Sequence, residues 1–115
     1  MSAFLNKRRP GEILIEAAKR AAGELEITSR QLALILGVDK TDPGSFLDPD
    51  SSEGLHARQF ILVFRYLQGL TGNNSRAMAH WVRTKNREFS SAPVDRMQAT
   101  NGLDKIIAYL ESLSQ

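Results

Sequence analysis

Side chains able to do acid–base or covalent chemistry are few in this chain and far apart. Its 115 residues include no cysteine and two histidines, His56 and His80. Without a thiol there is no disulfide, no thiolate nucleophile and no cysteine-based zinc site. The two histidines fall on different helices in the reading below, His56 at an exposed helix start and His80 beside Trp81 on a surface or interface. Neither stands next to a carboxylate pair, so they form neither a metal site nor a base–nucleophile dyad. No glycine-rich phosphate loop follows a strand, because no strand is evident. The sequence therefore predicts no catalytic residue, no metal and no cofactor. It points to a binding protein and not to an enzyme.

Charge narrows the kind of binding. Residues 1–53 carry seven Lys/Arg against nine Asp/Glu, and residues 54–115 carry eight against four. The first half is mildly acidic despite its basic tail, and the second is basic with scattered arginines. No apolar run approaches the roughly 18–20 residues that cross a bilayer. No long apolar segment follows Lys7, Arg8 and Arg9, so a secretory signal is not expected. The expectation is a soluble, cytoplasmic protein that makes no membrane contact.

Helical spacing dominates the elements that must position these residues, with no sustained two-residue alternation. Pro10 opens a first helix, with Ile13, Leu14, Ala17, Ala18 and Ala21 on one face and Gly23 at its end. Thr28 and Gln31 fit a capping box for a second, which buries Leu32, Ile35 and Leu36 and stops at Gly37. Pro43, Gly44, Pro49 and Gly54 leave room for at most a turn or two of helix before Ser51 or Ser52 caps a long helix. That helix runs to Gly69 or Gly72 on a stripe of Phe60, Val63, Phe64, Leu67 and Leu70, widened by Ile61. Asn74 caps a shorter helix with Ala77, Met78, Trp81 and Val82 inward. Pro93 opens a short one with Val94 and Met97. Asn101 caps the last, where Leu103, Ile106, Ile107, Leu110 and Leu113 recur. The fold class is all-α, a compact domain of about six or seven helices, divided at 1–54 and 55–115 into two halves that share one core.

Helices one and two, with Gly37 at the turn, have a helix-turn-helix cadence, and Ala33 is small where a second helix must pass close. Binding DNA this way places the next helix in the major groove. Candidate contacts are Lys7, Arg8 and Arg9 as a basic arm, Ser29 and Arg30, and Lys40. The would-be recognition segment "DKTDPGSFLDPD" sets Asp39, Asp42, Asp48 and Asp50 against Lys40 alone, and carboxylates facing phosphates cost affinity. The other reading is a scaffold kept for packing or dimerisation.

The stretch "HWVRTKNREFSSAPVDRM" is the most informative. Asn86 sits in a turn, where its short amide tolerates unusual backbone angles and bonds locally. Phe89 follows, able to tuck under the loop. Pro93 opens a helix with Asp95 in its first turn, favourable to the helix dipole, and "TNGLDKI" turns into the last helix. Trp81, Asn86, Phe89, Pro93, Asp95, Gly102 and Leu103, in this order and spacing, resemble the toxin-binding domain of the Xre/MbcA/ParS antitoxins. The likeness covers residues 74–113, and the helix-turn-helix cadence extends it toward an Xre-like N-terminal half. The resemblance implies a helical, commonly dimeric antitoxin that holds a cognate RES-domain, NAD-degrading toxin inactive by contact near its active-site entrance. It also implies promoter binding in some members, which the acidic, proline-broken segment here argues against. The expected toxin contacts are Trp81, Arg83, Lys85, Asn86, Arg87, Phe89, Pro93, Asp95 and Arg96. Trp81 reads at least as well as core as it does as interface, and Phe89 reads as a loop anchor. The polar Arg83, Lys85, Asn86, Arg87 and Asp95 are the stronger contacts, and the last helix is a second candidate surface.

Overall fold

The computed structural model describes residues 8–115 and forms six helices there. They are α1 (Pro10–Glu24), α2 (Ser29–Leu36), α3 (Ser52–Thr71), α4 (Ser75–Arg83), α5 (Pro93–Arg96) and α6 (Gly102–Leu113). The all-α class is as expected. Lys7 of the basic arm lies outside the described residues.

Local hydrogen bonds set most helix ends. The Thr28 hydroxyl accepts from the Gln31 N–H at 3.1 Å, and Gln31 Oε1 accepts from the Thr28 N–H at 2.9 Å. Both halves of the expected capping box are therefore made. Ser51 Oγ accepts from Gly54 N–H at 3.0 Å to start α3, and Asn74 Oδ1 accepts from Ala77 N–H at 3.0 Å to start α4. Gly37 and Gly72 take left-handed φ values of 82° and 66° at the ends of α2 and α3. At α1, the Glu12 carboxylate accepts from the Arg9 N–H at 3.1 Å and from Arg9 Nε at 3.0 Å. The backbone bond first, then the guanidinium, holds the Glu12 carboxyl below the usual glutamate range.

Asn101 departs from expectation. It occupies the N-cap position of α6 with φ 59° and makes no side-chain cap. The cause is the tight approach of α6 to α5. A Cβ on Gly102 would lie 1.8 Å from the Arg96 carbonyl oxygen. Residue 102 therefore has to be glycine, and the preceding residue absorbs the turn in a left-handed conformation that asparagine tolerates.

No helix forms between Gly37 and Ser51. Asp42 and Asp48 instead accept from the N–H groups of Gly44 and Asp50 at 2.7 and 2.9 Å, closing two local turns. Leu47 plugs this loop into the core, 6% exposed, and its N–H donates to Gly11 O at 3.2 Å. The loop runs so close to two helix starts that a Cβ on Gly11 or Gly54 would lie 2.3 Å from Leu47 O or 2.2 Å from Asp48 O.

α3 is the spine. It buries Gly54, Ala57, Phe60, Val63 and Leu67, and it packs against α1, α2, α4 and α6. One cluster joins Ile15, Ala18, Leu32 and Leu36 from the first half to Met78, Val82, Leu103, Ile106 and Leu110 from the second. Several helix faces are rotated from those expected. α1 buries Gly11, Ile15, Ala18 and Ala22, and leaves Ile13 half exposed, because Gly11 must meet the Leu47 loop. α4 buries Ala79 and exposes Ala77, while Leu70 and Leu113 project to solvent.

Three outcomes follow for stability. Gly102→Ala is expected to destabilise by about 1–3 kcal/mol through overpacking against a backbone carbonyl. Gly69→Ala, in an exposed stretch of α3 where an added Cβ meets nothing within 4 Å, is expected to stabilise by about 0.5–1 kcal/mol. Urea unfolding of both variants checks the pair. Glu12 has a lowered folded pKa, so its contribution is present above the ordinary glutamate value of about 4.3 and is lost as pH falls toward the folded value. The difference in Tm between wild type and Glu12→Gln should therefore shrink on acidification below about pH 4.

Candidate functional site

The bend between α4 and α6 is built almost entirely from its own hydrogen bonds. Thr84, extended, ends α4, and its hydroxyl donates to His80 O at 2.6 Å. Asn86 N–H donates to Ser91 O at 3.0 Å in an isolated antiparallel bridge. Within that closure, Phe89 N–H donates to Asn86 O at 3.2 Å and Glu88 N–H donates to Asn86 Oδ1 at 2.9 Å. Asn86 thus satisfies three backbone partners, the local bonding read from its sequence position. Ser90 takes φ 57° to complete the reversal.

Hydrogen bonds exposed to water would not hold this shape alone. Three rings do. Phe89 meets Trp81 edge-on with centroids 6.5 Å apart, and Tyr109 edge-on at 5.3 Å. Trp81 and Tyr109 lie nearly parallel at 6.5 Å. Such contacts contribute about 0.5–1.5 kcal/mol each beyond area burial. All three rings are partly buried and packed on the core cluster. Trp81 and Phe89 are therefore both core and surface: each presents one side inward and keeps part of the ring in solvent. Tyr109 was missed from sequence. Its i+3 spacing from Ile106, at the margin of the last helix's apolar stripe, was the available signal.

Pro93 is buried and acts from beneath by opening α5. Lys85, Arg87 and Asp95 are exposed, and Arg96 is half buried. Arg83 reaches back to the α1–α2 turn, where Nη1 lies 2.8 Å from Glu26 Oε1. Phe89, Asp95 and Arg96 come together with Glu88, Ser90 and Lys105 around an open cleft of about 450 Å³. Arg83, Lys85 and Arg87 do not line it. Lys105 and Glu88 are cleft residues that sequence reasoning left out.

The DNA candidates are dispersed. Arg8 pairs with Glu16, and Arg9 pairs with Glu12 while its guanidinium sits 4.4 Å above the Phe46 ring. Ser29, Arg30 and Lys40 are exposed, but no recognition helix follows α2. His56 is half buried rather than at an exposed helix start. Its Nδ1 lies 2.9 Å from Leu36 O, and since a carbonyl only accepts, that nitrogen carries the proton. His80 is exposed.

Residues 67–115 match the antitoxin Xre/MbcA/ParS C-terminal toxin-binding domain. The resemblance read from Trp81 to Leu103 falls inside that span. The matched segment comprises the end of α3, the bend with its three rings, and α4 to α6. The match supports a toxin-binding antitoxin of the Xre/MbcA/ParS kind, and a toxin-binding domain implies a protein toxin as partner. No curated protein matches the chain. No helix among the described residues is long and apolar enough to cross a membrane.

A double-mutant cycle on Trp81→Leu and Tyr109→Leu should give a coupling of about 0.5–1.5 kcal/mol. Each single variant should speed amide exchange at Asn86 and Phe89, whose N–H groups close the bend. Arg83→Ala, which removes an exposed ion pair, should change stability by at most about 1 kcal/mol. Any larger loss of partner binding in that variant then reports a contact and not unfolding.

Proposed function

We propose that the chain neutralises a cognate RES-domain toxin, an NAD-degrading enzyme, by seating the α4–α6 bend at its active-site entrance. The observation that carries this reading is the bend itself: a short reversal held by its own hydrogen bonds and by Trp81, Phe89 and Tyr109, inside the segment that matches the toxin-binding domain. A surface already fixed before contact loses little conformational freedom on binding. Lys85, Asn86, Arg87 and Asp95 supply polar contacts around the partly exposed rings, with Arg83 and Arg96 at the margins and Pro93 beneath. The antitoxin acts by occlusion and performs no reaction of its own. In this reading residues 1–54 form an Xre-like half and residues 55–115 the toxin-binding half, and the free protein is a homodimer.

Co-expression with the RES gene of the same operon is expected to relieve growth arrest, and the two proteins should co-purify. Lys85→Glu with Arg87→Glu should weaken the complex about tenfold or more, without altering the fold of the free antitoxin. Persistent arrest with no co-purification sinks the proposal. The alternative, a dimeric Xre-like DNA-binding regulator, requires tight duplex binding with a steep salt dependence. The engagement of Arg8 and Arg9 by Glu16 and Glu12 weighs against it.

A further inference from the structure

A second surface lies outside the matched segment. α1 and α3 diverge to leave an open apolar groove of about 350 Å³. Its walls are Ile13 and Leu14 on α1 and Ile61 on α3, and Leu62 continues it along α3. Ile13 and Leu62 are 50% and 39% exposed, so the groove keeps apolar surface open to solvent. Two arginines, Arg58 and Arg65, line the groove on either side of Ile61. Both are exposed, and among the described residues neither takes part in an ion pair. Seven residues apart, they stand about 10 Å from one another along the α3 axis.

The charge pattern selects the occupant. In a symmetric pairing of two copies across this groove, the axis would pass near Ile61 and set Arg58 and Arg65 of one copy against the same residues of the other. None of the residues that line the groove carries a carboxylate. A second copy thus brings like charge and no free anion. A helix with apolar residues on one face and two carboxylates seven positions apart fits both features. Its side chains recur on one face at that spacing, about 10 Å apart, matching the two arginines.

We infer that the α1–α3 groove docks an acidic amphipathic helix of another protein, with Ile13, Leu14, Ile61 and Leu62 taking its apolar face and Arg58 and Arg65 its carboxylates. This site is independent of the bend, so the two can be occupied or lost separately.

The test uses the full chain and two fluorescein-labelled helical peptides that share a leucine face, one with glutamates and one with lysines at the two positions seven apart. Anisotropy titrations should show the glutamate peptide binding at least about tenfold tighter, with the advantage shrinking as salt rises. The double variant Arg58→Glu/Arg65→Glu should invert the preference, and Leu62→Ser should weaken both peptides. All three substitutions are at exposed positions, and circular dichroism verifies the fold. Equal binding of the two peptides, or no binding by either up to about 1 mM, overturns the inference. So does a dimer by sedimentation that excludes the glutamate peptide and is lost in Leu62→Ser, which would make a second copy the occupant.

Discussion

One buried edge of α3 organises the molecule. Gly54, Ala57, Phe60, Val63 and Leu67 descend that edge, and α1, α2, α4 and α6 all dock against the helix. The small residues come first, where the Leu47 loop and α2 crowd the helix start. The large ones follow, where α4 and α6 leave more room. Phe60 is fully buried at the midpoint, and burying such a ring is worth about 1.5–3 kcal/mol. Without that edge neither half has a partner for its apolar faces, since the single core draws on both.

The bend between α4 and α6 depends on the spine at one remove. Its hydrogen bonds are mostly within a few residues and open to water, so their net worth is small. What fixes it is Tyr109, which α6 carries to the two rings of α4 and the loop. α6 reaches that position because it starts against the Arg96 carbonyl, at a glycine with no Cβ to obstruct it. Tyr66 adds a polar tie between α3 and α6, its hydroxyl donating to Glu111 Oε2 at 3.2 Å. Desolvation, and then the Glu111 carboxylate, push the Tyr66 phenol up from its ordinary value.

The two exposed surfaces follow different logic. The bend offers rigid rings edged by exposed lysine, arginine and aspartate, with charge of both signs. The α1–α3 groove offers aliphatic side chains between two cations of one sign. In the two proposals, the first surface meets a shaped entrance on a folded partner and the second a regular helix with a repeating acidic face. Both lie on a domain whose two histidines are apart, His80 exposed and His56 tied to the Leu36 carbonyl.

The sequence by itself determined the helix ends and the grammar of the bend. Thr28 with Gln31, Ser51, Asn74, Gly37 and Gly72 act within three or four residues of themselves, so their partners are written beside them. The same holds for Asn86 in its turn and Pro93 at the start of α5. Only the tertiary structure decided which faces are buried: Ile15 in place of Ile13, Ala79 in place of Ala77, and Leu70 and Leu113 left in solvent. It also decided that Asn101 bends left-handed without capping and that Tyr109 completes the ring cluster. These outcomes depend on chain segments far apart in sequence meeting at van der Waals distance. A helical period constrains which residues share a face, but it carries no information about what that face will meet.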